Sequence, residues 1–174
     1  RLLYLLPIVA LALFGAIDQT VADVPTVIVD QDHTAASREL MDKLRATKTF
    51  AIDTVTANPA RARALITAGR DRVGVVIPPD FHDRRAAGSG ANILVLIDGS
   101  DSTVSAQALA AVNGLAANVS LEDLAKRTGA VGAAPVLSTQ PIILFNPDGR
   151  TANFIIPGLV AIMLQIIAIV LTAV

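Results

Sequence analysis

The sequence has 174 residues and a net charge of −1, with 14 Lys and Arg against 15 Asp and Glu. Only 3% of the residues are aromatic, so the chain has neither the basic surface nor the stacking side chains that bind nucleic acid. It contains no cysteine, which excludes a disulfide framework and thiol chemistry.

The first element in chain order is an apolar segment. Residues 2–17 are uncharged, with Arg1 before them and Asp18 after them. These 16 residues fall short of the roughly 20 that cross a bilayer, so we expect a preceding part of the chain to add another turn. The alternative is a signal peptide cleaved near residues 20–22. Because a second apolar segment follows later, the sequence favours a first transmembrane helix at 1–17.

Residues 18–150 form the predicted domain. They carry 13 basic and 15 acidic side chains, and their 133 residues match the size of a single domain. Short β-branched runs predict strands, and the pair Asn58-Pro59 predicts a helix start. The predicted strands are 26–29, 50–56, 73–77, 92–97 and 141–145, and the predicted helices are 35–46, 59–69, 80–87 and 103–127, with a loop at 129–139. This order predicts an α/β domain of about five strands and three to four helices, with apolar strands covered on both faces.

Details within the helices are also predicted. Asp32 or Thr34 is expected to cap the first helix of the domain, in which Glu39 and Lys43 form an i,i+4 pair. Asp80 is expected to cap the short helix that ends at Ala87. Asn113-Gly114 weakens the long helix and predicts a possible break there.

The last element is a second apolar segment. Residues 151–174 carry no charge, and as a helix they would span about 36 Å against roughly 30 Å of bilayer hydrocarbon. We interpret them as a transmembrane helix that enters the bilayer near Phe154, with Pro157 and Gly158 in its first turns. Gln165 is expected to form an interhelical hydrogen bond. Since the apolar run has no basic residue or loop to end it, we expect the sequence to be a fragment of a larger membrane protein.

Two aspartate clusters follow strands and are candidate sites. Asp30-Gln31-Asp32 and the run 98–102, Asp-Gly-Ser-Asp-Ser, offer oxygen ligands that suit Ca²⁺ or Mg²⁺. Neither completes an EF-hand loop, and neither has the lysine of a phosphate loop. The pattern is more typical of turns and helix caps.

Other polar residues give no catalytic pattern. His33 and His82 lie in polar contexts without a matching nucleophile and acid, so we interpret both as solvent-exposed. Residues 118–120 match a glycosylation sequon inside a predicted helix. We therefore predict no catalytic, metal-binding or cofactor-binding residues.

Several short motifs follow one another in a fixed order: Val29-Asp30-Gln31-Asp32, Ser37-Arg38, Ile77-Pro78-Pro79-Asp80-Phe81, Ile97-Asp98-Gly99-Ser100-Asp101-Ser102, Phe145-Asn146-Pro147 and Phe154-Ile155-Ile156-Pro157-Gly158-Leu159. This ordered set is more specific than any of its motifs alone. It resembles the permease subunit of bacterial ATP-binding-cassette exporters of the type-2 class, which have a large extracytoplasmic domain between their first two spans. Phe145 stands where that family more often has tyrosine, which excludes a role for a phenolic hydroxyl. The positions that carry the resemblance, interpreted as structural, are Asp30, Asp32, Ser37, Pro78, Pro79, Asp80, Phe81, Asp98, Gly99, Ser100, Asp101, Asn146, Pro147, Phe154, Pro157 and Gly158.

The resemblance implies a function without catalysis in this chain. Such permeases usually have six spans, lie in the bacterial inner membrane among lipid, and pair with a second permease copy or a homologue. ATP is hydrolysed on a separate ABC ATPase subunit, and the exported domain would dimerise, gate, or contact substrate or a periplasmic adaptor.

Two other functions fit parts of the sequence. Two spans around an exported α/β domain are also the architecture of a membrane-anchored sensor. A secreted or anchored hydrolase would use the aspartate clusters, with Asp98 and Asp101 as its metal-dependent centre.

Overall fold

The computed structural model describes residues 22–126, 136–145 and 152–172. The predicted first span at 1–17, residues 129–135 of the predicted loop and the Asn146-Pro147 motif lie outside these ranges. The described part contains five strands and five helices, and the predicted mixed α/β class is confirmed. In chain order they are β1 Val24–Asp30, α1 Ala35–Ala46, β2 Phe50–Thr56, α2 Pro59–Thr67, β3 Val73–Ile77, α3 Phe81–Ala87, β4 Ala91–Asp98, α4 Ser102–Lys126, β5 Leu137–Leu144 and α5 Ala152–Thr172.

The five strands form one sheet in the order β2-β1-β3-β4-β5. All neighbouring pairs are parallel except β3 and β4, which are antiparallel. Thr26, Val73, Ile97 and Ile143 therefore lie in one row across four strands. The ends of the strands form two opposite sides of the sheet. We call the side where β1 begins and β5 ends the near edge, and the side where β1 ends and β5 begins the far edge. The outermost strands, β2 and β5, are called edge strands. The chain enters and leaves the domain at the near edge.

One face of the sheet is covered by α1 and α4, and we call it the α4 face. Its core combines the inward residues of the strands with the buried residues of these helices, such as Leu40, Leu44, Val112 and Val119. Phe81 of α3 is fully buried in the same cluster. This apolar cluster is the larger of the two in the domain.

The other face, the α2 face, is covered over only part of its width. Ile66 of α2 lies over Gly74, where an added Cβ would come within 3.0 Å of Ile66 Cδ1. In the same row of the sheet, Leu96 is 2% exposed and Ile142 is 41% exposed. The prediction that the strands are covered on both faces is therefore wrong for β5, because α2 has only nine residues and packs over β1 and β3.

Most predicted boundaries are confirmed. Thr34 caps α1 by accepting hydrogen bonds from the amides of Ala36 and Ser37, and Asn58 caps α2 in the same way. Asp80 occupies the cap position of α3, but its side chain makes no capping bond and instead accepts from Arg84 Nε. Asp80 therefore lies at the predicted cap position, but the prediction that its side chain caps the helix is wrong.

Helix α4 has no break at Asn113-Gly114, contrary to the weakness expected there. The cost of one glycine in a helix, about 1 kcal/mol, is small beside the packing of a face with eight buried residues. By length and composition α4 is also apolar enough to cross a membrane. Its contacts with β4 and β5 place it in the domain instead.

Strand β5 begins at Leu137, four residues before its predicted start. Its first residue is fixed by Ser120 of α4, whose hydroxyl accepts from the Leu137 amide and donates to the Leu137 carbonyl. Pro141 is tolerated because β5 is an edge strand. Phe145 lies beyond the strand rather than in it, with a positive φ of 67° and 61% exposure.

Helix α5 has 21 residues and spans about 32 Å. Eleven large apolar side chains between Ile156 and Leu171 are 49–74% exposed. Pro157 is the sixth residue of the helix, so it removes one hydrogen bond in the second turn. Residues 156–172 of the helix are all exposed.

Candidate functional site

The first aspartate cluster lies at the far edge of the sheet and its oxygens are occupied by the protein itself. Asp30 Oδ1 accepts from the amides of Asp32 (3.1 Å) and His33 (3.0 Å), and Oδ2 accepts from Ser37 Oγ (3.0 Å). Asp32 accepts from the Thr34 hydroxyl and from the His82 amide. These contacts fix the turn between β1 and α1.

The second aspartate cluster lies at the near edge. Asp98 is buried, and its Oδ2 accepts from Arg72 Nη1 at 2.7 Å while its Oδ1 accepts from the Ser100 amide at 2.9 Å. The hydrogen bonds from Ser100 and Arg72 outweigh burial and lower the pKa of Asp98. Asp101 Oδ1 accepts from the amides of Thr103 and Val104 and so caps α4.

The two clusters cannot form one site. Both follow a strand, but β4 runs antiparallel to β3, so the end of β4 lies at the edge opposite the end of β1. Within the described ranges, no group of His, Asp and Glu side chains could hold a metal ion. The occupied oxygens of Asp98 and Asp101 give no support to the hydrolase hypothesis.

A charged network that the sequence did not reveal joins α1, α3 and α4. Arg85 of α3 donates from Nε and Nη2 to Asp123 of α4, at 2.6 and 2.9 Å. It also donates from Nη1 and Nη2 to Glu39 of α1, at 3.2 and 3.3 Å. The Arg85 and Asp123 side chains are each about 10% exposed, so this pair is buried.

The network sets the charge states of its members. Hydrogen bonding to Arg85 lowers the pKa of both Asp123 and Glu39, and the hydrogen bond to Asp123 raises the pKa of Arg85. Lys43 extends the network by pairing with Glu39 at 3.2 Å and with Glu122 of α4. The predicted Glu39–Lys43 pair is thus confirmed, as one member of a larger cluster.

An open cleft of about 410 Å³ lies over this network at the far edge. It is lined by Ala35, Ala36, Glu39, His82, Arg85, Ala86, Asp123 and Lys126. Its charged groups already pair with one another, and its walls contain no nucleophile beside a base. His82 is exposed here, and the His33 side chain is 67% exposed, as predicted for both.

A second, smaller groove of about 310 Å³ lies on the open part of the α2 face. Its floor includes Leu94 and Gln140 of adjacent strands, and Arg84 and Asp80 of the α3 region form one rim. Ile142 continues the floor along β5 towards the near edge. This groove was not predicted, because local sequence patterns do not determine how many strands α2 covers.

The fold and these surfaces define a mixed α/β domain joined to an exposed apolar helix, with a buried ion-pair network between its helices. The sequence model of the family described as ABC-2 family transporter protein matches residues 2–174. The chain belongs to the ABC-2 transporter family. This family comprises membrane permease subunits of transporters, which implies a membrane location, dimerisation and association with an ABC ATPase.

Other comparisons add one structural similarity. The crystal structure of a domain of a proposed ABC type-2 transporter from Thermotoga maritima MSB8 aligns with 12% sequence identity and a TM-score of 0.48. The alignment covers 68% of this chain and 86% of that one. Among curated proteins, none matches the chain in sequence.

Proposed function

We propose that the chain is part of the permease subunit of an ATP-driven exporter in the bacterial inner membrane. In this proposal residues 1–17 and 151–174 are transmembrane helices, and residues 18–150 form an extracytoplasmic domain. The observation that carries the proposal is the family match, which runs through both apolar segments and the domain between them. A receptor or hydrolase assignment has no comparable support.

The strand register supports two spans on the same side of the domain. Thr26 near the start of β1 and Ile143 near the end of β5 share a row, three strand spacings apart. At about 4.8 Å per spacing, the two connections leave the near edge about 14 Å apart. Two helices that pack at 8–10 Å can join such points through short connections. The near edge would then face the membrane.

The composition of α5 supports lipid as its surroundings. Its 21 residues match the hydrocarbon thickness of roughly 30 Å, and its large apolar side chains are exposed around the helix. Burial of one such side chain contributes about 1.5–3 kcal/mol, so water is an unfavourable environment for the set. Pro157 and Gly158 then lie in the first turns of the span, after Phe154.

The domain would act through contacts rather than chemistry. ATP would be hydrolysed on the ABC ATPase, and the domain would contribute to dimerisation, to gating, or to contact with substrate or a periplasmic adaptor. In this view the motif residues are architectural: Asp30 and Ser37 fix the first turn, and Asp98 and Asp101 fix the start of α4. Asn146 and Pro147 would shape the connection back to the membrane.

Purification of the tagged full-length protein from membranes of its native host tests the proposal. We expect an ABC ATPase subunit to co-purify, and ATP hydrolysis by the complex to depend on the permease. Recovery with a kinase or another signalling domain, and no ABC ATPase, would contradict the proposal and favour the sensor.

A further inference from the structure

The open groove on the α2 face is a surface that the described residues of the domain do not fill. Ile66 covers Gly74, Leu96 beside it is buried, and the next residue in the row, Ile142, is 41% exposed. Gln140 is exposed beside Leu94 on the same floor. The layer that α2 forms on this face therefore ends at β4 and leaves the outermost strand, β5, uncovered.

The position of the chain ends limits which surfaces a second permease can reach. Both connections leave from the near edge, so two domains anchored in one membrane stand side by side with their far edges pointing away from it. An interface between them must then use a lateral surface of the sheet or its helices. The floor of the groove is such a surface, because Leu94 and Gln140 lie on the α2 face beside the outermost strand, although the rim at Pro78 and Arg84 lies at the far edge.

The charges at the groove suit a copy of the same surface. Asp80 and Arg84 stand together on one rim, with side chains 47% and 49% exposed. Asp80 and Arg84 already form an ion pair within each copy, so this rim carries no net charge when a two-fold axis brings the surface against itself. This arrangement avoids like-charge repulsion while the apolar floor residues meet.

The outer edge of β5 is poorly suited to adding a strand, which favours side-chain packing instead. The carbonyls of Val136 and Leu144 bond to β4, so the odd-numbered residues between them direct their backbone groups outwards. Pro141 is one of these and has no amide, which leaves only Thr139 and Ile143 as outward donors in the middle of the strand.

We infer that the groove floored by Leu94 and Gln140, together with the exposed Ile142 next to it on β5, is the surface on which the domain of a second permease copy docks. This inference rests on the proposed function, because it names the partner of a permease that works as a dimer. It locates dimerisation on the α2 face beside β5.

The absence of native cysteine allows a direct test in membranes. Gln140→Cys and Ile142→Cys, each in the full-length protein, are oxidised mildly and separated on a non-reducing gel. We expect a disulfide-linked dimer as the main species for at least one of them. The matched controls are Leu121→Cys on α4, where the native side chain is 65% exposed, and Val55→Cys on β2, where it is 51% exposed; we expect both to remain largely monomeric.

Two differently tagged copies, expressed together, separate the possible failures. If the copies co-purify but crosslinking occurs only at Leu121→Cys or Val55→Cys, or at none of the four positions, the groove is not the dimer surface and the inference is overturned. If the copies do not co-purify and no ABC ATPase is bound, the proposed function itself fails. Crosslinking at the groove together with co-purification supports both.

Discussion

At the residue scale, Arg85 holds three helices together through carboxylates on two of them. Its guanidinium contacts Asp123 and Glu39, and the Arg85–Asp123 pair is about 90% buried. Removing one partner of a buried ion pair leaves an uncompensated charge, which costs about 3–5 kcal/mol. Since Glu39 still contacts Arg85, we expect Asp123→Ala to lower the free energy of unfolding by about 3 kcal/mol, near the low end of that range.

Chemical unfolding of the full-length protein in detergent, followed by circular dichroism, measures this loss. The matched control is Asp42→Ala, which removes the exposed Asp42–Arg45 pair and should cost at most about 1 kcal/mol. Equal effects of the two variants would show that the Arg85 network does not stabilise the helix packing.

Asp71 makes the stability of the domain depend on pH. It is 3% exposed, and burial together with the charge of Asp53 raises its pKa. A carboxyl with a higher pKa in the folded state stabilises the fold most below its unfolded pKa of about 3.9, and this contribution is lost as the pH rises through the folded value. We therefore expect Asp71→Asn to raise the melting temperature at pH 7, with a gain that shrinks towards pH 4.

Melting curves of Asp71→Asn and the native protein at a series of pH values check this prediction. Asp53→Asn, which removes only the neighbouring charge, should give a smaller gain. A gain for Asp71→Asn that stays constant from pH 7 to pH 4 would exclude titration of Asp71 as its cause.

At the element scale, α4 spans the length of the sheet without a break. Gly114 lies inside it, and an added Cβ would meet no atom of the described chain within 4 Å. Gly114→Ala should therefore raise the free energy of unfolding by about 0.5–1 kcal/mol, since alanine favours the helix and loses less entropy on folding. Chemical unfolding measures the change, and a loss of stability would indicate that another surface packs closely on Gly114.

The helices and strands show which features of the fold local sequence patterns can predict. Strand β2 was predicted with its observed bounds, and Asn58-Pro59 correctly marked the start of α2, because alternation and capping act between near neighbours in sequence. The Arg85 contacts span 38 and 46 residues and follow no local pattern. The separation of Asp30 from Asp98 depends on the antiparallel pairing of β3 with β4, which local patterns also do not determine.

At the scale of the whole molecule, the account depends on the domain being outside the cytoplasm, held by the membrane at its near edge. The register that places Thr26 and Ile143 in one row makes two anchors at that edge possible. In this arrangement the open groove would face a second domain. The far-edge cleft would face the extracytoplasmic space, and the near-edge turn at Asp98 would face the membrane surface.

The most direct test of this claim is the accessibility of a single cysteine in intact bacterial cells. Leu121→Cys places the thiol at an exposed position of α4 in a chain with no other cysteine. The account predicts that a membrane-impermeant maleimide labels it in intact cells as fully as in permeabilised ones. Labelling only after permeabilisation would place the domain in the cytoplasm and contradict the account.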